Sequence, residues 1–95
     1  MAYSLTEQAR QDVILIYRYG VSTYGAAQAE NYGDALEAAF YLLAQFPHLA
    51  PPRTQYDPPL HLYPLDSHLI LYRQQGEDIL ILRIFHSRQH WQRFL

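Results

Sequence analysis

The chain has 95 residues, 49% of them hydrophobic, 15% aromatic and 17% charged, which allows one modest core and excludes a disordered or collagen-like segment. Cysteine is absent, so a disulfide framework, a thiolate metal site and a thiol nucleophile are all excluded, and no apolar run approaches the roughly 18 residues needed to cross a bilayer. Seven arginines, no lysine and nine acids give a net charge of −2, which argues against non-specific binding to nucleic acid or to an anionic membrane. The expectation is one soluble, cytoplasmic domain over residues 1–95, with a radius of gyration of roughly 12 Å.

Ala2 to Leu5 form a short β-compatible run that leads into Thr6-Glu7-Gln8, a helix start with a hydroxyl cap and an acid in the first turn. Ala9, Val13, Ile16, Tyr17, Gly20 and Tyr24 then recur at helical spacing and predict a helix over about 6–24. Ile14, Leu15 and Tyr19 lie outside that stripe, so this helix offers apolar surface beyond what one buried face requires. Gly25 suits the helix end, and Ala29, Tyr32, Leu36, Ala39, Leu43 and Phe46 form the stripe of a second helix, about 26–46, that Pro47 stops. A tight helical hairpin follows from the two.

Residues 47–59 hold five of the six prolines and predict a stiff connector. Three β-like runs come next, Leu60 to Leu65, Leu69 to Arg73 and Ile79 to Phe85, separated by Asp66-Ser67 and by residues 74–78, which makes an antiparallel meander. The last run is apolar on both faces and reads as a central strand covered on both sides; strict alternation puts Ile79, Ile81, Arg83 and Phe85 on one face and Leu80, Leu82, Ile84 and His86 on the other. The fold class expected is α+β in the order β-α-α-β-β-β, a helical hairpin packed on a small, mainly antiparallel sheet.

The charge is unevenly placed. Residues 1–46 carry two arginines and five acids, residues 47–72 one and two, and residues 73–95 four and two, so only the C-terminal part is net positive. Arg73, Arg83, Arg88 and Arg93, with His86 and His90, suit contacts to phosphates or carboxylates, the plain alternative being a solvated basic edge. Of the five histidines only His86 and His90 have a local ligand spacing, with no third ligand near them, so no metal and no cofactor are expected. The chain has no G-x-S-x-G elbow and no glycine-rich phosphate loop. Nine tyrosines and one tryptophan exceed what a core of this size needs and point to a surface covered by a partner.

Three segments together resemble the ParE toxins of the RelE/ParE superfamily: A-Q-A-E-N-Y with L-E-A-A-F and F-P in the hairpin, L-Y-R at Leu71 to Arg73, and L-R-I-F-H-S-R-Q-H-W at Leu82 to Trp91. The resemblance implies a small bacterial toxin of a type II toxin–antitoxin pair, neutralised by an antitoxin that usually carries an N-terminal DNA-binding part. ParE members poison DNA gyrase, whereas RelE members cut messenger RNA on the ribosome with lysines, arginines and a C-terminal Tyr or His. This chain has no lysine, Leu69 stands at the middle-strand arginine position and no Tyr follows Tyr72, while Arg88 matches the arginine after the last strand. His61 stands where ParE members commonly have an arginine. The gyrase branch is therefore favoured, with Arg83, His86, Arg88, Trp91 and Arg93 as target contacts and no catalytic residue. Ile14, Leu15, Tyr19, Tyr72 and Arg73 are the candidates for the antitoxin surface. The alternatives are a RelE-like endonuclease and a non-toxic interaction module of the same fold.

Overall fold

A computed structural model describes residues 2–95, with a radius of gyration of 13.1 Å. Strand β1 (Tyr3–Leu5) precedes helices α1 (Glu7–Tyr24) and α2 (Ala26–Gln45), and after the connector come β2 (His61–Leu65), β3 (His68–Gln75), β4 (Asp78–His86) and a 3-10 turn at Trp91–Phe94. The helix and strand positions follow the hydrophobic stripes to within a few residues. The neighbour of the N-terminal strand is supplied by the fold: the sheet order is β1-β4-β3-β2, with β1 parallel to β4 and the other pairs antiparallel. β4 is thus interior, in agreement with its apolar character on both faces.

One residue joins the two helices. Gly25 sits at φ 95°, a conformation that side chains with a Cβ rarely adopt, and its N–H donates to the Val21 carbonyl while its own carbonyl accepts from Ala29 N–H. Close helix approach is set at Gly20, where an added Cβ would lie 3.2 Å from that of Ala29.

The core has two parts, one on each face of the sheet. Leu36, Phe40 and Leu43 of α2 and Ala9 of α1 pack on Ile70, Tyr72, Ile79, Ile81 and Ile84. On the opposite face Leu60, Leu71, Phe85 and Trp91 form a second cluster, roofed by Tyr56 and by the C-terminal turn. Each large side chain removed from water in this way contributes about 1.5–3 kcal/mol.

The strict alternation expected for β4 is interrupted. Leu71 pairs with Arg83 but Tyr72 pairs with Ile81, so Leu82 is an extra residue that shifts the register. Beyond that bulge Ile84 joins Ile79 and Ile81 under the helices, and Phe85 turns to the far face. The assignment of Phe85 to the face of Ile79, and of Ile84 to that of Leu80, is corrected accordingly. The start of α1 holds the bulge in place. Thr6 Oγ1 donates to the Leu82 carbonyl at 2.7 Å and accepts from Ala9 N–H at 3.0 Å, so one hydroxyl caps the helix and ties it to the irregular strand.

Candidate functional site

Strand β1 ends at Leu5, which leaves the edge of β4 open from Leu82 onward. Asp12 on α1 fills that gap. Its carboxylate accepts from the Ile84 backbone N–H at 3.0 Å and holds Arg83 through two bonds, Nε at 2.8 Å and Nη2 at 3.1 Å. The hydrogen bonds to Asp12 raise the guanidinium's pKa, and its plane also lies over the Phe85 and Phe94 rings. Arg83, the one cation in an apolar strand, is therefore tied to the fold. A residue of weak helix propensity in the second turn of α1 was the available signal for Asp12.

Trp91 is likewise internal, 7% exposed, with Tyr56 beside it and the Arg53 guanidinium 5.3 Å from its ring centre. Of the expected target contacts, Trp91 is thus buried in the second core cluster, while Arg83 is engaged by Asp12 and keeps 22% of its side chain exposed. His86, Arg88 and Arg93 are exposed.

A concavity of about 940 Å³ runs along the hairpin toward the β2–β3 turn. Val13, Ile16, Tyr32 and Leu36 line its apolar part, with Ile14 and Tyr19 also on its wall. Ile14 is 38%, Leu15 59% and Tyr19 64% exposed. Leu15 is not among the residues that line the groove. The other two antitoxin candidates are elsewhere: Tyr72 is fully buried with its hydroxyl donating to the Pro47 carbonyl, and Arg73 lies five residues, roughly 16 Å, along β3 from the groove end at His68. A contact through the Tyr72 side chain is excluded by that burial.

At the sheet end of the groove stands a histidine pair that local spacing could not reveal, since His68 and His86 are register partners on neighbouring strands. Their ring centres are 5.6 Å apart. The Tyr32 hydroxyl lies 3.2 Å from the Leu65 carbonyl and 2.6 Å from His68 Nδ1, within hydrogen-bonding distance of both. His86 Nδ1 accepts from Arg88 N–H at 3.2 Å. Burial is the main reason that His68 titrates below its ordinary value of 6.5, with nearby His86 acting in the same sense and Asp66 opposing them.

A match to the family described as "ParE toxin of type II toxin-antitoxin system, parDE" spans residues 3–91. The chain belongs to the ParE toxin family. Among curated relatives it is similar to Toxin ParE3 of Caulobacter vibrioides, 29% identical over 85 residues covering 90% of this chain and 85% of the relative. It is also similar to Toxin ParE1 of the same organism, 27% identical with 90% and 88% covered. A solved structure described as the chromosomal ParDE TA system from P. aeruginosa shares the fold, with TM-score 0.78 at 23% identity over 93% of this chain and 97% of that one. The family places the chain as a ParE-type toxin of a type II toxin–antitoxin system. Among the described residues no helix is long and apolar enough to cross a membrane.

Proposed function

We propose that residues 1–95 act as one ParE-type unit that inhibits DNA gyrase by direct binding and is neutralised by a cognate antitoxin seated on the helical hairpin. The observation that carries the neutralisation reading is the apolar groove of about 940 Å³ beside the exposed rings and side chains of Ile14 and Tyr19 in a member of this family. An amphipathic helix laid along such a groove would bury its apolar stripe against Val13, Ile16 and Leu36. Leu15, outside the groove wall, would sit at the rim of that contact.

The gyrase reading draws on the family together with the exposed Arg88 and Arg93 guanidiniums and the exposed His86 ring at the C-terminal end, the only part of the chain with a positive balance. The messenger-cleaving alternative has less support. Phosphate-neutralising lysines are absent, and Leu69 is packed against the second core cluster where that chemistry would want a cation.

The deciding experiment compares the purified protein in a gyrase supercoiling assay and in a ribosome-bound messenger cleavage assay, each repeated with an Arg88→Ala, Arg93→Ala double variant. Inhibition of supercoiling that falls at least about tenfold in the double variant is expected. Messenger cleavage with unaffected gyrase would overturn the reading, and an inert protein in both assays, with normal growth of cells expressing it alone, would favour a non-toxic module.

A further inference from the structure

The molecule contains a second pair of facing histidines, far from the groove and built by different means. His48, just past α2, and His61, in the first position of β2, are separated by the proline-rich connector and meet across its base with ring centres 5.7 Å apart at 64°. Two imidazoles that share one tetrahedral ion at the usual metal–nitrogen distance of about 2.0–2.1 Å have ring centres roughly 5–6 Å apart. The spacing and the crossed planes match that arrangement.

His61 is set up as a ligand before anything binds. The residue is 2% exposed, and its ring is stacked on Tyr72 at 4.9 Å with 16° between planes. Its Nδ1 lies 2.7 Å from the Ala50 carbonyl, which only accepts, so Nδ1 carries the hydrogen and Nε2 holds the lone pair of the neutral ring. A backbone carbonyl on one nitrogen is the usual means by which proteins orient a histidine that ligates metal through the other. Among the described residues Nε2 has no hydrogen-bond partner, and no deeply buried side-chain nitrogen or oxygen is left unpaired, so this atom is not sealed from solvent; His61 lines a cavity of about 210 Å³. His48, Thr54 and Gln74 line the same cavity, and its remaining wall is proline. His48 is exposed and, among the described residues, hydrogen-bonded to none, so its ring can turn toward an ion.

The pair in the groove lacks this preparation. His86 accepts from Arg88 N–H at Nδ1, so its neutral ring carries the hydrogen at Nε2 and would have to break that bond to ligate through it.

We propose that His48 and His61 bind one late first-row divalent transition metal ion, of the zinc, nickel or copper class, at the base of the connector. Two neutral imidazoles suit these ions and not magnesium or calcium, which prefer all-oxygen sets. Among the described residues no three His, Asp or Glu side chains converge on a site, so the ion completes its shell with water and with the Gln74 or Thr54 side-chain oxygens. The ion would clip the end of α2 to β2 and so stiffen the segment between them, independently of any target of the toxin.

The test is calorimetric titration of the tag-free full chain with zinc chloride alone, followed by the same titration of His48→Ala and His86→Ala. Both changes are at exposed positions, and circular dichroism confirms that each variant is folded. One equivalent of Zn²⁺ should bind to the parent, His48→Ala should weaken binding by at least about tenfold, and His86→Ala should leave it unchanged. In the parent, Zn²⁺ should also move the imidazole nitrogen resonance of His61 Nε2 far more than that of Nδ1. No saturable binding, binding retained in His48→Ala, or binding lost in His86→Ala would each overturn the proposal.

Discussion

The hairpin groove and the basic C-terminal end are both conspicuous in the amino-acid sequence, one for apolar residues outside a helical stripe and the other for arginine, histidine and tryptophan. In the folded chain they have opposite characters. The groove keeps Ile14 and Tyr19 exposed on its wall, whereas the C-terminal end has turned its two most distinctive side chains inward, Arg83 onto Asp12 and Trp91 onto the second core cluster. Residue types that dominate binding interfaces are the same types that close small cores, since both tasks reward large, partly polar surfaces. Enrichment in such residues marks an important place, and burial decides which task each one performs.

This contrast can be broken most forcefully at Trp91. If the ring is a lid on the far side of the sheet, Trp91→Ala should cost about 3 kcal/mol in urea denaturation. A pure target contact would leave stability unchanged and alter only activity. Asp12→Ala comes next, at about 2 kcal/mol, because it leaves the Ile84 N–H and the Arg83 guanidinium without their shared acceptor; the figure is below that of a fully buried pair because both side chains retain some solvent contact. Arg83→Met should be milder than Asp12→Ala, since the long apolar chain can still cover Phe85 and Phe94.

On the hairpin the expected pattern is reversed. Tyr19→Ser should change stability by less than about 0.5 kcal/mol, as befits a side chain that is 64% exposed, while weakening capture of the antitoxin in a binding titration. Loss of stability without loss of binding would move Tyr19 from the surface to the core side of the comparison.

The smallest effect concerns pH. With its folded pKa below the ordinary 6.5, His68 takes up a proton more readily in the unfolded chain. Its contribution to stability is complete above 6.5 and declines as pH falls through that value toward the folded pKa. Thermal melts between pH 7.5 and 5 should therefore show a shallower acid-side decline in His68→Gln than in the parent, and equal slopes would contradict the depressed pKa.

Much of the fold was legible from local pattern. The stripe from Ala29 to Leu43, the single-residue link at Gly25 and the proline-rich connector each depend on neighbours a few positions away, and periodicity and backbone restriction report on those directly. The candidate site was less legible. Ile14 and Tyr19 were found because they break a stripe, but of Tyr72 and Arg73, adjacent in a motif, the first turned out to be buried and the second remote from the groove. Asp12, 71 positions from Arg83, gave only the weak signal of a poor helix former inside a helix.

The amino-acid sequence by itself determined the order of elements, the two-sided burial of the last strand and the family, because hydrophobic period, turn residues and extended motifs are written along the chain. Tertiary structure decided the rest. It placed β1 beside β4, inserted the bulge at Leu82 that reverses which face Ile84 and Phe85 occupy, and brought His68 to His86 and His48 to His61. The physical reason is common to all three. A one-residue change of register, or the meeting of side chains from distant segments, is set by the competition of many long-range contacts for the same space, and no local pattern carries that information.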